Sequence, residues 1–486
     1  MTTSLENLPS QRPRPDSERR RLLPDERARL GKAAREHAPL DSHAAFDRAP
    51  DAPDPVALLE GQGESRIPDL VPVRYGRMLV SPFTYYRGAA LPMASDLSGT
   101  PTTGLMVQAC GDAHLSNFGI FGSPERRLLF DINDFDETLP GPWEWDVKRL
   151  AASLEVAARE RDFSRKQRAA VVMAAAAGYR RAMRRFAGMT NLDVWYARAD
   201  VEQLRADLEA QLDRRQRKRW DTGQAKAVTS DSLRALRKLV HLVDGEPRIV
   251  AAPPLIVPVT DLLDVDAAGI ELQLRGLIVK YRRTLEASRR QLLEQYEFAD
   301  MARKVVGVGS VGTRCWIILM LGRDLSDPLF LQVKEAEESV LARYAHLPGH
   351  ARPRYSNQGQ RVVVGQRLMQ ASSDIFLGWV RIDAGMDGNP HDFYVRQLRD
   401  WKLSFDIAFM VPNGMRLYGE ICGWSLARAH ARSGDRIAIA AYLGGSDAFD
   451  RAITEFASAY ADQNERDHAA LRAAVASGRI TALSGV

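Results

Sequence analysis

The spacing of the hydrophobic positions changes along the chain, and helical spacing dominates its first half. Between residues 143 and 187 apolar side chains recur every three or four positions, which is typical of a helix with a buried face. Two further amphipathic stretches lie within 192–242 and 268–302, and Phe449 to Tyr460 repeat the pattern near the C-terminus. Most of the chain is therefore predicted to be helical.

A different pattern begins near residue 303, where short apolar runs alternate with turn-forming residues. Strands are predicted at 305–307, 315–320 and 329–333, with a further strand at 361–364. Because turn residues separate the second and third runs, we expect an antiparallel meander. Helices are expected to resume from about Phe393.

The first 50 residues differ from the rest, because prolines interrupt every helical pattern in them. This segment is rich in Arg, Pro, Asp, Glu and Ala, so we predict a mobile tail with one short helix and no chemistry. Aromatic and small residues between Arg74 and Ala90 then indicate the start of an ordered domain.

Composition narrows the class of protein. The 486 residues include 67 basic and 62 acidic side chains, a net charge of +5, which is only a weak indication of nucleic-acid binding. The basic run from Arg214 to Trp220 lacks an aromatic stacking platform and is interpreted as a solvated helix face. Three scattered cysteines exclude a disulfide scaffold, and no apolar run is long enough for a membrane helix. We expect a cytoplasmic protein without a signal peptide and without a membrane or nucleic-acid partner.

The densest group of polar residues lies between positions 110 and 137. Asp112 is followed five positions later by Asn117, and a short apolar strand then leads to Asp134 and Asp136. In phosphoryl transfer one carboxylate accepts the proton of the attacking hydroxyl, while an amide and a second carboxylate hold Mg²⁺. The pattern therefore indicates a phosphoryl-transfer site, and a polar turn whose Asp and Asn only cap helices is the alternative.

A glycine-rich loop follows much later in the chain. Gly307, Gly309 and Gly312 form a GxGxxG pattern, with Ser310 inside it, between two predicted strands. Because a strand and not a helix follows, a dinucleotide-binding fold is disfavoured. The order of strand, loop and strand matches the loop that covers nucleotide phosphates in protein kinases, and an ordinary glycine-rich hairpin is the alternative.

Lys334 closes the third predicted strand, 22 residues after Gly312. A lysine at this position is able to neutralise nucleotide phosphates. Glu337 and Glu338, which are expected to open a helix, are both candidates to pair with it. Asp146, at another predicted helix start, is interpreted as a brace for the Asp112 loop.

Two sequence motifs resemble those of a known enzyme family. Gly111 to Asn117 resembles the catalytic loop Gly-Asp-Leu-His-Pro-Gly-Asn of aminoglycoside phosphotransferases and related small-molecule kinases. Ile132 to Asp136 is similar to their Ile-Asp-Phe-Asp metal-binding segment, and Trp145 to Val147 is similar to their later Tyr-Asp-Leu. Cys110 stands where these enzymes usually have histidine.

The resemblance implies catalytic and metal-binding roles. Asp112 would act as the base or orienter for an acceptor hydroxyl, and Asn117 and Asp134 would hold Mg²⁺. Asp136 would be a second-sphere or second-metal group. His114 would support the loop that it shares with Asp112.

The resemblance also implies roles in nucleotide binding. Lys334 would neutralise the phosphates of ATP, and a hinge at 365–370 would contact adenine through Gln366 and Gln370. Arg87 would bind the acceptor or a phosphate. The residues whose backbone would cover the phosphates are Gly307, Gly309, Ser310 and Gly312.

The order of these segments departs from that of kinases, because the glycine loop and the lysine follow the catalytic loop. Reading 303–480 before 51–300 restores the kinase order, so we expect a circularly permuted, two-lobed α+β fold of the protein-kinase type. The predicted units are a tail at 1–50, a first helical part with the catalytic and metal-binding loops at 51–302, a small antiparallel-sheet lobe at 303–370, and a hinge with the second helical part at 371–486.

From about residue 55 to residue 475 the chain resembles the bacterial domain of unknown function 2252 family. The phrases that carry this resemblance are Arg74 to Met78, Tyr86 to Gly88, Gly111 to Gly119, Asn133 to Thr138 and Gln332 to Ala336. The family resemblance implies no particular substrate.

We therefore predict a phosphotransferase that uses ATP and Mg²⁺ and moves the γ-phosphate to a hydroxyl of an unidentified acceptor, a small molecule or a protein. Three alternatives remain open. They are a pseudokinase-like regulatory module that binds nucleotide, nucleotidyl transfer on the same fold, and a metal hydrolase that uses Asp112, His114 and Asp134.

Overall fold

The structure is a computed structural model that describes residues 22–212, 214–262, 276–346, 355–385, 387–398 and 401–485. It is a mixed α and β protein in which several small antiparallel sheets accompany many helices. Among the described residues, no helix combines the length and the apolar character that crossing a bilayer requires.

Side chains cap the N-termini of many helices, as Ser81 and Ser164 do by accepting backbone N–H bonds. The described helices are α1 (Pro24–Ala33), α2 (Pro55–Gly63), α3 (Val71–Met78), α4 (Pro82–Gly88), α5 (Ala90–Ser98), α6 (Trp143–Glu160), α7 (Arg165–Ala187), α8 (Asn191–Tyr196), α9 (Val201–Leu208), α10 (Arg214–Val228), α11 (Ser232–Leu239), α12 (Ala287–Leu293), α13 (Gln358–Met369), α14 (Pro412–Ser433), α15 (Arg436–Leu443) and α16 (Ala448–Ala476).

All described strand pairs are antiparallel. The strands are β1 (Met106–Ala109), β2 (Phe118–Gly122), β3 (Leu128–Ile132), β4 (Leu139–Pro142), β5 (Ala199–Asp200), β6 (Val240–Val243), β7 (Glu246–Ile249), β8 (Ile256–Pro258), β9 (Glu297–Lys304), β10 (Cys315–Leu321), β11 (Pro328–Glu335), β12 (Gly378–Ile382) and β13 (His391–Gln397). The largest sheet has the order β12-β13-β11-β10-β9-β8, and the smaller sheets are β2-β3-β5, β1-β4 and β6-β7.

The six-stranded sheet has two different faces. On one face Trp316 and Val333 belong to an apolar core. On the other face Ile317 and Phe330 pack against Leu239 of α11. Because side chains alternate along a strand, Lys334 shares the face of Phe330 and lies beyond the area that α11 covers.

The connections of this sheet bring a glycine-rich loop and a helix next to the lysine strand. Residues 305–314 join β9 to β10, and β10 pairs with β11 from Cys315–Lys334 to Leu321–Pro328. The chain then passes through α13 to β12, and β13 returns beside β11. The loop at 305–314 and the end of β11 therefore lie at the same edge of the sheet.

The helical part is built around α6, α7, α14 and α16, and glycines let two of these helices approach closely. A Cβ on Gly178 of α7 would lie 2.5 Å from the carbonyl oxygen of Glu420. A Cβ on Gly423 of α14 would lie 2.1 Å from the carbonyl oxygen of Ala175. No side chain fits at either distance, so the contact between α7 and α14 depends on glycine.

Two small sheets present the polar loops at the edge of this helical part. The loop at 110–117 follows β1, which pairs with β4, and the loop at 133–137 follows β3, which pairs with β2. The backbone N–H of Asn133 donates to the carbonyl oxygen of Asn117 at 2.8 Å. This bond joins the two loops.

The sheet boundaries differ from the sequence expectation. Residues 361–364, expected as a strand, lie inside α13, whose N-terminus is capped by Asn357 and whose Val362 and Val363 are buried. Tertiary packing here outweighs the β preference of the valines. β12 and β13 extend the sheet past the expected limit at 370, and β13 contains Phe393, where helices were expected.

The stretch at 268–302, expected to be helical, contains helix α12 (Ala287–Leu293) but departs from the expectation at its end. Its last residues belong to β9, because pairing with β10 and β8 places them inside the sheet. Residues 268–275 lie outside the described residues.

Residues 24–48 pack on the helical part instead of forming a mobile tail. Arg27 of α1 lies 2.8 Å from the carboxylate of Asp435. His43 is fully buried and contacts the Tyr442 hydroxyl at 2.7 Å. The local sequence gives no sign of this, because these side chains are buried only against helices from the far end of the chain. The first 21 residues of the expected tail lie outside the described residues.

Candidate functional site

A polar cleft lies where the glycine loop of the large sheet meets the loops of the helical part. Its walls are the loops at 110–117, 133–137 and 305–314, the start of the segment that follows β11, and residues in and around α2, α3 and α4. The cleft brings together many residues that the sequence analysis singled out: Arg87, Asp112, His114, Asn117, Asp134, Asp136, Gly307, Gly309 and Ser310.

The loop that follows β1 is held from behind by Asp146 of α6. Its carboxylate accepts the backbone N–H of Cys110 at 2.6 Å and that of Gly111 at 2.9 Å, and it lies 3.0 Å from His430 Nε2. Gly111 has a φ of +81°, and a Cβ there would lie 2.3 Å from the carbonyl oxygen of Glu137. Only glycine fits this turn.

Asp112 is anchored by a buried arginine. Its Oδ1 atom accepts from Arg149 Nε at 2.9 Å and lies 2.7 Å from Arg149 Nη2. The Nε2 atom of His114 lies 3.7 Å from Asp112 Oδ2. Burial lowers the pKa of His114 to about 4, so its imidazole is neutral at neutral pH. Arg149 thus fixes Oδ1 of Asp112, whereas Oδ2 has only the more distant His114 beside it among the described residues.

Asn117 and Asp134 offer oxygen atoms to the cleft from neighbouring loops. Asn117 Nδ2 donates to the carbonyl oxygen of Asp112 at 2.8 Å, and its Oδ1 accepts no hydrogen bond from the described residues. Burial alone would raise the pKa of Asp134, but Lys334 and Arg396 outweigh this effect and lower the pKa to about 2. Asp134 is therefore ionised at any physiological pH.

An amide oxygen and a carboxylate suit Mg²⁺ when phosphate and water oxygens complete its shell. Asn117 and Asp134 are the residues that fit this description. Among the described residues, no group of three His, Cys, Asp or Glu side chains converges on a metal position. A cation here would depend on oxygen atoms that a substrate brings.

Lys334 lies beneath the glycine loop as a buried cation. It is 2 % exposed, donates to the Asp136 carboxylate and lies 3.7 Å from Asp134. The hydroxyl of Tyr394 donates to the other oxygen of Asp136 at 2.6 Å. Burial opposes the charged form of Lys334, but Asp134 and Asp136 raise its pKa well above the usual value. Lys334 is therefore a buried positive charge paired with Asp134 and Asp136, which line the cleft.

The glycine loop is tied to its surroundings by an arginine from the turn before α3. Arg66 donates to the carbonyl oxygen of Gly309 at 2.8 Å and to that of Val311. Ser310 Oγ lies 3.5 Å from Asp136 Oδ2. These contacts place the loop directly over the carboxylate that pairs with Lys334.

Glu137 is a further carboxyl group at the cleft wall. Burial raises its pKa to about 7, and its Oε2 atom accepts the backbone N–H of Val340 at 2.7 Å. Its carbonyl oxygen accepts the hydroxyl of Ser339 at 2.7 Å. Glu137 thereby connects the loop at 133–137 to the segment that follows β11.

The hinge expected at 365–370 is occupied by helix α13 and its end. Gln366 donates to Gln370 at 2.9 Å, and Gln370 donates to the carbonyl oxygen of Ile132 at 2.9 Å. Both glutamines are buried away from the cleft, where they fasten α13 to β3. The chain passes from the sheet to the helical part after β13, between Gln397 and Pro412.

Two further expectations need correction. Among the described acidic residues, those within ion-pair distance of Lys334 are Asp134 and Asp136, so neither Glu337 nor Glu338 pairs with it. Glu337 and Glu338 lie outside the described helices, and the next described helix, α13, begins at Gln358. Gly312 lies at the far end of its loop, where its carbonyl oxygen accepts the N–H of Ile67 at 2.8 Å.

Several residues around the cleft carried too little signal in the sequence to be found. Three are arginines on helices or in a turn, one is an acid, and two are polar residues on β13. For the two on β13, the alternation of polar and apolar residues along the strand was the only sign in the sequence that they lie on a strand. These residues are Arg66, Arg74, Glu137, Arg149, Tyr394 and Arg396.

Comparison with known protein families identifies the family of this chain. The model of the family described as "Uncharacterized protein conserved in bacteria (DUF2252)" matches residues 66–474. The chain belongs to this family. Neither the curated proteins nor the solved structures contain a match to the chain. Since the match runs from Arg66 past Glu337, the DUF2252 domain contains nearly the whole cleft.

Proposed function

We propose that this DUF2252 protein is a phosphotransferase that takes the γ-phosphate from Mg·ATP and attaches it to a hydroxyl group. The observation that carries the proposal is the meeting of Asp112, Asn117 and Asp134 in one cleft, above Lys334 and under a glycine loop. Phosphoryl transfer needs a carboxylate near the hydroxyl, oxygen ligands for a metal ion and positive charge at the phosphates. This set supplies each of them.

In the proposed reaction the acceptor oxygen attacks the γ-phosphorus, and the bond from that phosphorus to the β–γ bridging oxygen breaks. The proton of the hydroxyl passes to Asp112, and ADP leaves. When bound, Mg²⁺ neutralises phosphate charge, and Asn117 and Asp134 are the residues that would hold it. Lys334 contributes fixed positive charge beside the phosphates.

We also propose that the fold is a circularly permuted version of the protein-kinase fold. One supporting observation is the sequence of glycine loop, β10, lysine-bearing β11 and α13, which follows the order of the kinase small lobe. A second is the position of the C-terminus, where Arg479 lies 3.1 Å from Asp54 and Leu483 N–H donates to the Pro72 carbonyl at 2.8 Å. The kinase order would join residue 480 to residue 51, so a permutation requires these two segments to lie close together.

The proposal assigns residues to the phosphates and to the metal, and none to the nucleotide base. Ile317 and Phe330, on the face that carries Lys334, are covered by Ala235 and Leu239. A base does not reach this apolar area while α11 stays in place. The phosphate end of the cleft, in contrast, is lined by polar side chains.

The test is incubation with ATP labelled at either the γ- or the α-phosphate, together with a bacterial metabolite extract. We expect the γ-label to move to an extract component or, slowly, to water, and the α-label to stay in nucleotide. Asp112→Asn is expected to lower the transfer rate about 10²- to 10⁴-fold, whereas Asp383→Asn, at an exposed acid that does not line the cleft, leaves it unchanged. Movement of the α-label into a product would indicate nucleotidyl transfer instead. Binding of ATP without movement of either label would favour a regulatory module.

A further inference from the structure

One arginine of the cleft has no hydrogen-bond or ion-pair partner among the described residues. Arg87, in the last turn of α4, lines the cleft and is mostly withdrawn from solvent. Its Nε atom is buried and unpaired, and among the described residues no hydrogen bond or ion pair reaches its guanidinium group. A buried guanidinium nitrogen without an acceptor is costly, so the position of Arg87 Nε calls for an explanation.

The acids that face Arg87 are already paired with other cations. Asp112 and Asp134 are the acids that act electrostatically on it. Asp112 lies 2.7 Å from Arg149 Nη2, and Asp134 lies 3.7 Å from Lys334. Arg87 therefore adds a positive charge that forms no ion pair with an acid among the described residues.

The neighbouring Arg66 and Arg74 differ from Arg87, because both donate hydrogen bonds to backbone carbonyl or side-chain amide oxygens. Arg66 donates to the Gly309 carbonyl at 2.8 Å. Arg74 donates to Gln62 Oε1 at 2.9 Å and to the Gly88 carbonyl at 3.2 Å. These two arginines hold the walls of the cleft in place, whereas the guanidinium of Arg87 has no such structural contact among the described residues.

We propose that Arg87 binds an anionic oxygen group of a substrate, a phosphate or a carboxylate, next to Asp112. A guanidinium is suited to this, because its parallel N–H groups match two oxygens of such a group. The inference rests on the proposed phosphotransferase function. Within that function the group has two sources, the γ-phosphate of ATP or an acidic substituent of the acceptor.

The test is calorimetric titration of the full-length protein with inorganic phosphate, for the wild type, Arg87→Gln and Arg161→Gln. Arg161 is exposed at the end of α6, so its variant removes the same charge outside the cleft. With Mg·ADP present, we expect wild type and Arg161→Gln to bind phosphate and Arg87→Gln to bind it at least tenfold more weakly. Equal binding by wild type and Arg87→Gln, or no binding by wild type, would overturn the proposal.

Two further titrations separate the sources of the anion. If Arg87 binds the γ-phosphate, Arg87→Gln weakens Mg·ATP at least tenfold and leaves Mg·ADP unchanged, and a non-hydrolysable Mg·ATP analogue competes with phosphate. If Arg87 binds the acceptor, both nucleotides keep their affinity in the variant, and phosphate binds together with the analogue.

The readouts also separate this inference from the proposed function. Phosphate binding that depends on Arg87, without binding of any nucleotide, would refute the ATP-dependent function and leave the anion site standing. If the role of Arg87 is only structural, Arg87→Gln should have a lower unfolding temperature and an unchanged affinity for phosphate. This result would refute the anion site and leave the proposed function standing.

Discussion

Asp112 is the residue whose replacement separates chemistry from binding. Asparagine in its place keeps an oxygen for the Arg149 hydrogen bonds, which are 2.7–2.9 Å long in the native protein, but it does not accept a proton. We expect Asp112→Asn to lower the transfer rate about 10²- to 10⁴-fold, the usual contribution of a general base. The affinity for Mg·ATP should stay within about threefold of wild type, because this carboxylate faces the acceptor side in the proposed reaction.

The measurement for this variant is single-turnover transfer of labelled phosphate beside calorimetric binding of Mg·ATP. Asp112→Ala is a useful companion, because it leaves Arg149 buried without its partner and should also lower stability. Wild-type turnover in Asp112→Asn would show that another group takes the proton.

The burial of His43 leads us to predict that the stability of the protein depends on pH, independently of the cleft. Burial, and to a lesser degree the charge of Lys148, lowers the pKa of His43 to about 3 in the folded protein, against about 6.5 when unfolded. Between these values the unfolded chain binds a proton that the folded protein does not bind, so stability is complete above pH 6.5 and falls as the pH decreases. The slope for one such group is about 1.4 kcal/mol per pH unit.

Urea unfolding at pH 7.5 and pH 5.5 measures this effect. The wild type should lose about 1.4 kcal/mol more between the two values than His43→Gln, which keeps a polar partner for the Tyr442 hydroxyl. Equal losses in the two proteins would mean that His43 takes up a proton in the folded state as readily as in the unfolded chain.

Among the elements, the crossing of α7 and α14 is the contact most sensitive to a single methyl group. A Cβ on Gly178 would lie 2.5 Å from the Glu420 carbonyl oxygen, so the helices must separate to admit alanine. Overpacking of this kind costs about 1–3 kcal/mol. Gly61→Ala in α2 is the matched control, because a Cβ there meets no atom within 4 Å.

Thermal and urea unfolding of these two variants form the measurement. Gly178→Ala should be destabilised, whereas Gly61→Ala should be neutral or more stable by about 0.5–1 kcal/mol, since alanine is favoured over glycine inside a helix. A Gly178→Ala protein as stable as the wild type would contradict the tight crossing.

The same elements indicate what the sequence is able to predict. The helices α6, α7 and α16 and the pair β10–β11 follow from periodicity, because each buries one face or alternates its apolar side chains. The antiparallel arrangement of the meander follows from the turn residues between its strands. Asp112, Asn117 and Asp134 were found because they lie on short, motif-bearing loops.

Other features depend on contacts that local sequence does not encode. The valines of α13 favour a strand by their local sequence preference. The Asn357 cap and the surrounding buried residues stabilise a helix instead. Gln366 and Gln370 resembled a hinge only because α13 was not expected. Lys334 finds its partners in Asp134 and Asp136, about 200 residues away, and not in the glutamates beside it.

At the scale of the whole molecule, the ends of the chain hold the helical part together. Arg48 binds Asp96 of α5 at 2.6 Å and Asp467 of α16 at 2.7 Å, and both acids are almost fully buried. Arg48→Gln leaves two buried carboxylates without their cation. We expect a loss of about 3–5 kcal/mol in the free energy of unfolding, the usual cost of breaking a buried ion pair.

The control for Arg48 is Arg479→Gln, which breaks an ion pair with Asp54 and Glu60 at the surface. Exposed pairs of this kind contribute little to stability, because water and salt screen the two charges. Urea unfolding of both variants should therefore separate them clearly. Similar losses would mean that the segment before α2 does not brace the helices.

The cleft itself is a property of the whole molecule, because its walls come from three distant parts of the chain. The arginines lie at 66–87, the acid loops at 110–137, and the glycine loop with its following segment at 307–337. A site of this kind forms only when the sheet and the helical part are in contact. Ligand binding should therefore stabilise both parts together.

The most direct test of the proposed function is calorimetric titration of the purified protein with ATP, with and without Mg²⁺, for the wild type, Lys334→Ala and Asp134→Asn. The account predicts micromolar binding that needs Mg²⁺ and weakens at least tenfold in both variants, with Asp383→Asn unchanged. A folded wild type that binds no ATP, or binds it equally well in all four proteins, would contradict the assignment of this cleft to Mg·ATP.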